Sequence, residues 1–210
     1  MADPREMLFD VPPWEGAPLN EPRWRWWPGT QEVVRVLTHD RNNHGGDGRV
    51  HAIVIHGTAG RSSAGAMSVM LKDRAASWHW LIPDENEAPH GIHHWCTAPE
   101  YRAAWHVRGS CSHPAVHGGA LSPNTWSLGI EVVNAQNRID PFSRWQVERT
   151  AEIIRYARSK HPELRHVVSH AALDPERRTD PGPLFPWDKL RELVLAGGNG
   201  ARPRRRVDRV

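Results

Sequence analysis

Cysteine is scarce in this chain. Cys96 and Cys111 are the only two in 210 residues, too few for a disulfide framework and without the paired C-x-x-C spacing of a structural zinc site, so free thiols are expected. Long hydrophobic runs are missing too: no stretch approaches the roughly 20 apolar residues of a membrane span. The opening MADPREMLFDVPPWEG puts acids and prolines where a signal peptide needs a basic patch and then an apolar core, so synthesis in the cytoplasm without a signal peptide is expected. No internal repeat is visible, which excludes solenoid and propeller arrays. A strong excess of one charge is also lacking, since 27 Lys and Arg against 24 Asp and Glu leave a formal net charge of +3. That is a mild bias toward anionic partners. The excess gathers in Arg202, Arg204, Arg205, Arg206 and Arg209. With the tryptophans it is the only hint of nucleic-acid binding, and no nucleic-acid partner is expected.

What is present divides the chain into three. Residues 1–48 are rich in Pro and Trp (Trp14, Trp24, Trp26, Trp27), lack periodicity and end in the turn-forming NNHGGDG. Each indole gains by burial, so this segment reads as an extended arm wrapping a domain, with one short strand or helical turn among Val33, Val34, Val36 and Leu37. Residues 49–195 alternate strands and helices. Strands are read at 50–55, 78–82, 127–133 and around Val167 and Val168. Ser62 or Ser63 can cap a helix that carries Met67, Met70 and Leu71. Ser143 and Gln146 form a capping box ahead of Val147, Ala151, Ile154 and Ala157, and a last helix over 187–195 presents Leu190, Leu193 and Val194. The fold class is α/β, a single domain with a central mixed β-sheet flanked by α-helices. Residues 196–210 read as a basic, disordered tail.

The chemistry sits at the ends of these strands. His56 closes the apolar run VHAIVIH, His170 follows Val167 and Val168 in the same way, and Asp180 lies in a loop stiffened by Pro181, Gly182 and Pro183. Two imidazoles and a carboxylate are a ligand set that zinc uses when one position stays open to water. A lone strand-end histidine is usually a hydrogen-bonded structural group, so the combination carries the reading. Glu131 interrupts the core strand SLGIEVVN, where a carboxylate is costly unless a cation compensates it. Beside a metal it can act as the proton shuttle; on an edge strand it would merely face solvent. Arg178 brings a permanent charge suited to stabilising an oxyanion but not to donating a proton. Arg177 can point inward in its place, or the whole ERR triplet can be a solvated face. Trp78 and His79 in ASWHWLI, with Trp105 and His106 in AAWH, can line a cleft with hydrogen-bond donors and flat apolar walls, although core packing accounts for most of these indoles equally well. His90, His93 and His94 crowd a loop without metal-like spacing.

The ordered segments IVIHGTAG, ASWHWLI, AAWH, NTWSLGIEVVN, VVSH and RRTDPGPLFPW resemble the type-2, zinc-dependent N-acetylmuramoyl-L-alanine amidases, a family that shares its fold with phage lysozyme-type amidases and peptidoglycan recognition proteins. The likeness spans about residues 50–194. It implies zinc (Zn2+) ligands at His56, His170 and Asp180, a catalytic Glu131, an oxyanion-stabilising Arg178, and peptidoglycan or a muropeptide as substrate. The chain departs from many relatives in having Arg178 where they have lysine and Trp78 where they have tyrosine. The expected activity is cleavage of the bond between N-acetylmuramic acid and the first L-alanine. The settings weighed are a monomeric endolysin acting on the wall after release, its basic tail approaching anionic wall polymers or lipid, and a cytosolic enzyme that recycles wall fragments. The non-enzymatic alternative is a peptidoglycan-binding module of the same fold.

Overall fold

Strand pairing begins inside the Trp- and Pro-rich arm. Leu8–Asp10 (β1) and Trp24–Trp26 (β2) are three-residue strands, and they form the two opposite edges of one seven-stranded sheet. β1 pairs antiparallel with His166–Ser169 (β7), Phe9 facing Val167. β2 pairs parallel with His94–Cys96 (β5). Between these pairs lie Ala52–Gly57 (β3), Ser127–Val132 (β6) and Trp80–Ile82 (β4), in the order β1-β7-β3-β6-β4-β5-β2. The computed structural model describes residues 3–31, 49–73 and 75–196. The element expected within 33–37 and nearly all of the basic tail lie outside them. Residues 3–31 supply both sheet edges, so the boundary expected after residue 48 does not mark the edge of the fold.

β7, β3, β6 and β4 run parallel, which brings their C-terminal ends to one rim. Side chains alternate across a strand, and the β3–β6 register therefore assigns the faces. Ile53 pairs with Leu128 and Ile55 with Ile130. These four enter the larger core, covered by Val147, Ala151 and Ile154 of Arg144–Lys160 (α2) and by Leu190 and Val194 of Trp187–Ala196 (α4). The capping box that starts α2 is formed: Ser143 Oγ accepts from Gln146 N–H at 3.2 Å, and Gln146 Oε1 accepts from Ser143 N–H at 2.9 Å. The opposite face carries Ala52 with Ser127, Val54 with Gly129, and His56 with Glu131. Ser63–Ser68 (α1), capped by Ser62, and the loops around Val107, Val116 and Trp126 pack on that side. His56 and Glu131 therefore share a face and a rim, as register and parity require.

Of the histidines read from sequence as loop residues, His94 lies differently. His94 begins β5 and is fully buried, its ring meeting Trp24 edge-on at 5.7 Å. Cys96 and Cys111 are both free, as expected, and both are buried.

Candidate metal centre and active site

His56 reaches the rim because the buried β3 run ends there. His170 reaches it because β7 passes directly into a four-residue helix, His170–Leu173 (α3), capped by Ser169, whose Oγ accepts from Ala172 N–H at 3.0 Å. The Asp180 loop is tied to that helix by Ala171 N–H, which donates to Asp180 O at 3.0 Å. The side chains converge. His56 Nδ1 and His170 Nδ1 are 2.9 Å apart, and Asp180 Oδ2 lies 3.0 Å from His170 Nδ1 and 3.4 Å from His56 Nδ1. Ligand atoms around one tetrahedral zinc-sized ion stand about 3.3 Å apart when the bonds are about 2.0–2.1 Å. The three residues fit a metal ion on spacing and on donor chemistry, and all three are buried.

Electrostatics agree. Burial, then the neighbouring His170, pushes His56 down to about 4, so its ring is neutral and able to ligate near neutral pH. Burial alone would raise Asp180, but the adjacent His170 and His56 rings outweigh it and hold the carboxyl below its usual range. The other nitrogen of His56 is also engaged. Nε2 lies 3.0 Å from His106 Nδ1, and His106 Nε2 lies 3.3 Å from Ser127 Oγ, which donates to Pro123 O at 2.7 Å. One consistent proton assignment runs through this chain, each ring donating from Nε2, and it leaves the His56 Nδ1 lone pair facing Asp180 and His170. His106 packs against Gly129, where an added Cβ would stand 2.8 Å from its Cγ and 2.9 Å from its Nδ1.

Glu131 is half-buried beside these groups, with Oε2 buried and lacking a hydrogen-bond partner. Burial first, and Asp180 second, raise its pKa well above the carboxylate range, with Arg178 pulling the other way. An orphaned carboxylate oxygen next to a cation-shaped gap supports the metal fit. His56, Glu131, His170, Asp180, Trp78 and Arg178 are among the residues lining one open cavity of about 400 Å³. Arg177 reaches its rim too, but its Nη1 is bound to Asp174 Oδ2 at 3.1 Å, whereas the charge of Arg178 acts on both His56 and Glu131.

Four residues were expected to contact substrate, and the structure treats them unequally. Trp78 lines the cavity. His106 touches it but serves mainly as the partner of His56. His79 does not line it: the ring is fully buried, Nε2 donates to Arg102 O at 2.9 Å and Nδ1 accepts from Gly129 N–H at 2.9 Å. It is a strap between strand and loop, because both nitrogens are spent on backbone. Trp105 is partly exposed, does not line this cavity, and is fixed through its backbone N–H to Ser77 Oγ. Sequence reasoning missed Gln136, which lines the cavity at φ 52° with its Nε2 buried and lacking a hydrogen-bond partner, and Gly57, whose missing side chain makes room for it. A polar turn, NAQNR, was the only signal. A second group with metal-like spacing, Asp84, Glu85 and Asp140, is committed elsewhere, since Asp84 Oδ1 accepts from Asn86 N–H at 2.9 Å and Asp140 Oδ2 from Ala135 N–H at 3.1 Å.

A parallel-centred α/β sheet with His, His and Asp meeting at its C-terminal rim, and a half-buried glutamate on the neighbouring strand, is an arrangement that could hold one metal ion. Residues 46–183 match the N-acetylmuramoyl-L-alanine amidase family Amidase_2, and the chain belongs to that family. It is 31% identical over 151 residues to N-acetylmuramoyl-L-alanine amidase AmiD of Escherichia coli, covering 68% of this chain and 52% of that protein. The solved AmiD complex with anhydro-N-acetylmuramic acid-L-Ala-D-gamma-Glu-L-Lys superposes with a TM-score of 0.58 at 30% identity, covering 70% of this chain and 58% of that one. AmpDh3 of Pseudomonas aeruginosa gives a TM-score of 0.58 at 26% identity, covering 70% and 60%. The chain thus spans about half the length of the curated relatives it matches. Among the described residues no helix is long and apolar enough to cross a membrane.

Proposed function

We propose that the chain is a zinc-dependent amidase that hydrolyses the bond between the lactyl group of N-acetylmuramic acid and the first L-alanine of the stem peptide. The observation that carries this reading is the meeting of His56, His170 and Asp180 within 2.9–3.4 Å of one another, with Glu131 directly across the β3–β6 register. Zinc held by these three residues would polarise the scissile carbonyl and lower the pKa of a water in its open position toward about 7. Glu131 takes the proton of the attacking water and returns it to the alanine nitrogen as the C–N bond breaks. The guanidinium of Arg178 steadies the negative charge that develops on the carbonyl oxygen and keeps its own proton throughout. His106 holds the His56 ring in the tautomer that points Nδ1 inward. Trp78 replaces a hydroxyl with an apolar wall, so oxyanion stabilisation falls to Arg178. The test is incubation of the zinc-loaded chain with a purified muropeptide: mass analysis should show free stem peptide and N-acetylmuramic acid, and a chelator should abolish both. One bound zinc per chain without amide cleavage would favour the binding-module alternative instead.

Relatives named 1,6-anhydro-N-acetylmuramyl-L-alanine amidase favour a soluble muropeptide over the intact wall as substrate. Clearing of sacculi suspensions at rates matching turnover of anhydro-muropeptide would instead support the endolysin setting.

A further inference from the structure

A second recess of about 260 Å³ adjoins the metal centre, and Arg178 and Thr179 belong to both hollows. Its other cations come from distant parts of the chain. Arg5 lies in the three-residue 3-10 turn Pro4–Glu6, and Arg138 in the turn that follows Gln136. Both turns are held. Ser169, the residue before His170, donates its N–H to Met7 O at 2.9 Å and its Oγ–H to Pro4 O, so the Arg5 turn is fastened to the backbone that places a metal ligand. Asn137 Oδ1 accepts from Ile139 N–H at 3.0 Å and from Asp140 N–H at 2.8 Å, which fixes the loop around Arg138.

Elsewhere Arg49, Arg108, Arg144, Arg149 and Arg177 each face a carboxylate. Among the described residues Arg5, Arg138 and Arg178 make no ion pair within 4.0 Å, although the charge of Arg178 acts on Glu131. Asp3, the one acid at the recess, turns its Oδ1 to Arg5 N–H at 2.9 Å. Three guanidinium groups against one carboxylate leave a net positive hollow with forked donors matched to an anionic, planar group.

We propose that this recess is a carboxylate subsite for the stem peptide, a proposal that rests on the amidase reading above. The two sides of the scissile amide differ in charge. The sugar side offers hydroxyls and an acetamide, whereas the peptide side carries carboxylates. In a stem that runs L-Ala-D-gamma-Glu, as in the AmiD complex, the γ-linkage leaves the glutamyl α-carboxylate free one residue beyond the alanine. That short reach suits a recess sharing a wall with the metal centre. Arg5 lies outside the family match at 46–183, so this part of the selectivity belongs to the chain's own N-terminal turn.

The test compares kcat and KM for two muramyl peptides that differ only in having a carboxylate or a carboxamide at the glutamyl α-position, using the zinc-loaded full chain and its R5Q, R138Q and R5K variants. The wild type should favour the carboxylate by about tenfold in kcat/KM, the size of one charge-assisted hydrogen bond. R5Q and R138Q should each narrow that ratio through KM, and R5K should keep part of it. Melting curves establish that each variant is folded, and R138Q and R5K carry the test should R5Q not fold. Equal use of both peptides by the wild type, or a ratio untouched in folded R5Q and R138Q, overturns the subsite while leaving the amidase reading intact. Cleavage of neither peptide overturns both.

Discussion

Replacing Gly129 by alanine tests the claim that the strand backbone under His106 positions a metal ligand two contacts away. Gly129 sits inside β6, where a strand backbone accepts alanine without strain. The added methyl, however, would stand 2.8 Å from His106 Cγ and 2.9 Å from Nδ1. Ordinary contact needs about 3.5–4.0 Å between carbons, so the ring has to retreat by about 0.7 Å. The His106 Nδ1 to His56 Nε2 separation is 3.0 Å, and a shift of that size carries it beyond hydrogen-bond range. Overpacking of this kind costs about 1–3 kcal/mol of stability. Loss of an outer-shell partner costs about 10–100-fold in metal affinity. Competition with a fluorescent chelator should read that loss, and thermal melts of the metal-free chain should read the stability change. A G129A chain that binds zinc within about twofold of wild type would refute the positioning role of His106.

Three further outcomes are expected. Glu131→Gln should lower kcat by about 10²–10⁴-fold while elemental analysis still finds one zinc per chain; near wild-type turnover would remove Glu131 from proton transfer. Arg178→Gln should lower kcat by about 10²–10³-fold, with Arg178→Lys retaining most of the rate, because fixed positive charge is the requirement; equal losses in both variants would point to geometry instead. His94, whose ring nitrogens are buried and lack hydrogen-bond partners, is pushed down to about 3, first by burial and then by the charges of Arg149 and His93. A folded-state pKa below the unfolded value of 6.5 means that stability is complete above pH 6.5 and is lost as pH falls toward 3. At pH 5 the loss is about 2 kcal/mol at 1.36 kcal/mol per unit. His94→Phe keeps the edge-on packing against Trp24 and should flatten this acid limb in denaturant titrations; an unchanged limb would contradict the assignment.

The convergence of His56, His170 and Asp180 was legible because these residues sit where sequence patterns are strongest. His56 ends a continuous β-branched run, Glu131 breaks an apolar alternation, and both lie on strands buried on two faces, where a polar residue stands out. The α2 helix was legible from Ser143 and Gln146 for a similar reason, since a capping box is a local signal. The edges were not. β1, β2 and β5 have three residues each, too few to show a period, and they become strands only because β7 and β4 offer unpaired backbone beside them. That is why Trp24 and Trp26 read as a wrapping arm and His94 as a loop residue. His79 and His106 look alike in sequence, each following a tryptophan. Only the register of β6 separates them, giving one to backbone carbonyl and amide groups and the other to His56.

The most direct measurement is an anomalous-scattering map at the zinc edge from crystals of the metal-loaded chain. The expected result is one peak bonded by His56 Nδ1, His170 Nδ1 and Asp180 Oδ2. No peak there, or a peak at Asp84, Glu85 and Asp140 instead, would contradict the claim that these three residues hold the catalytic metal.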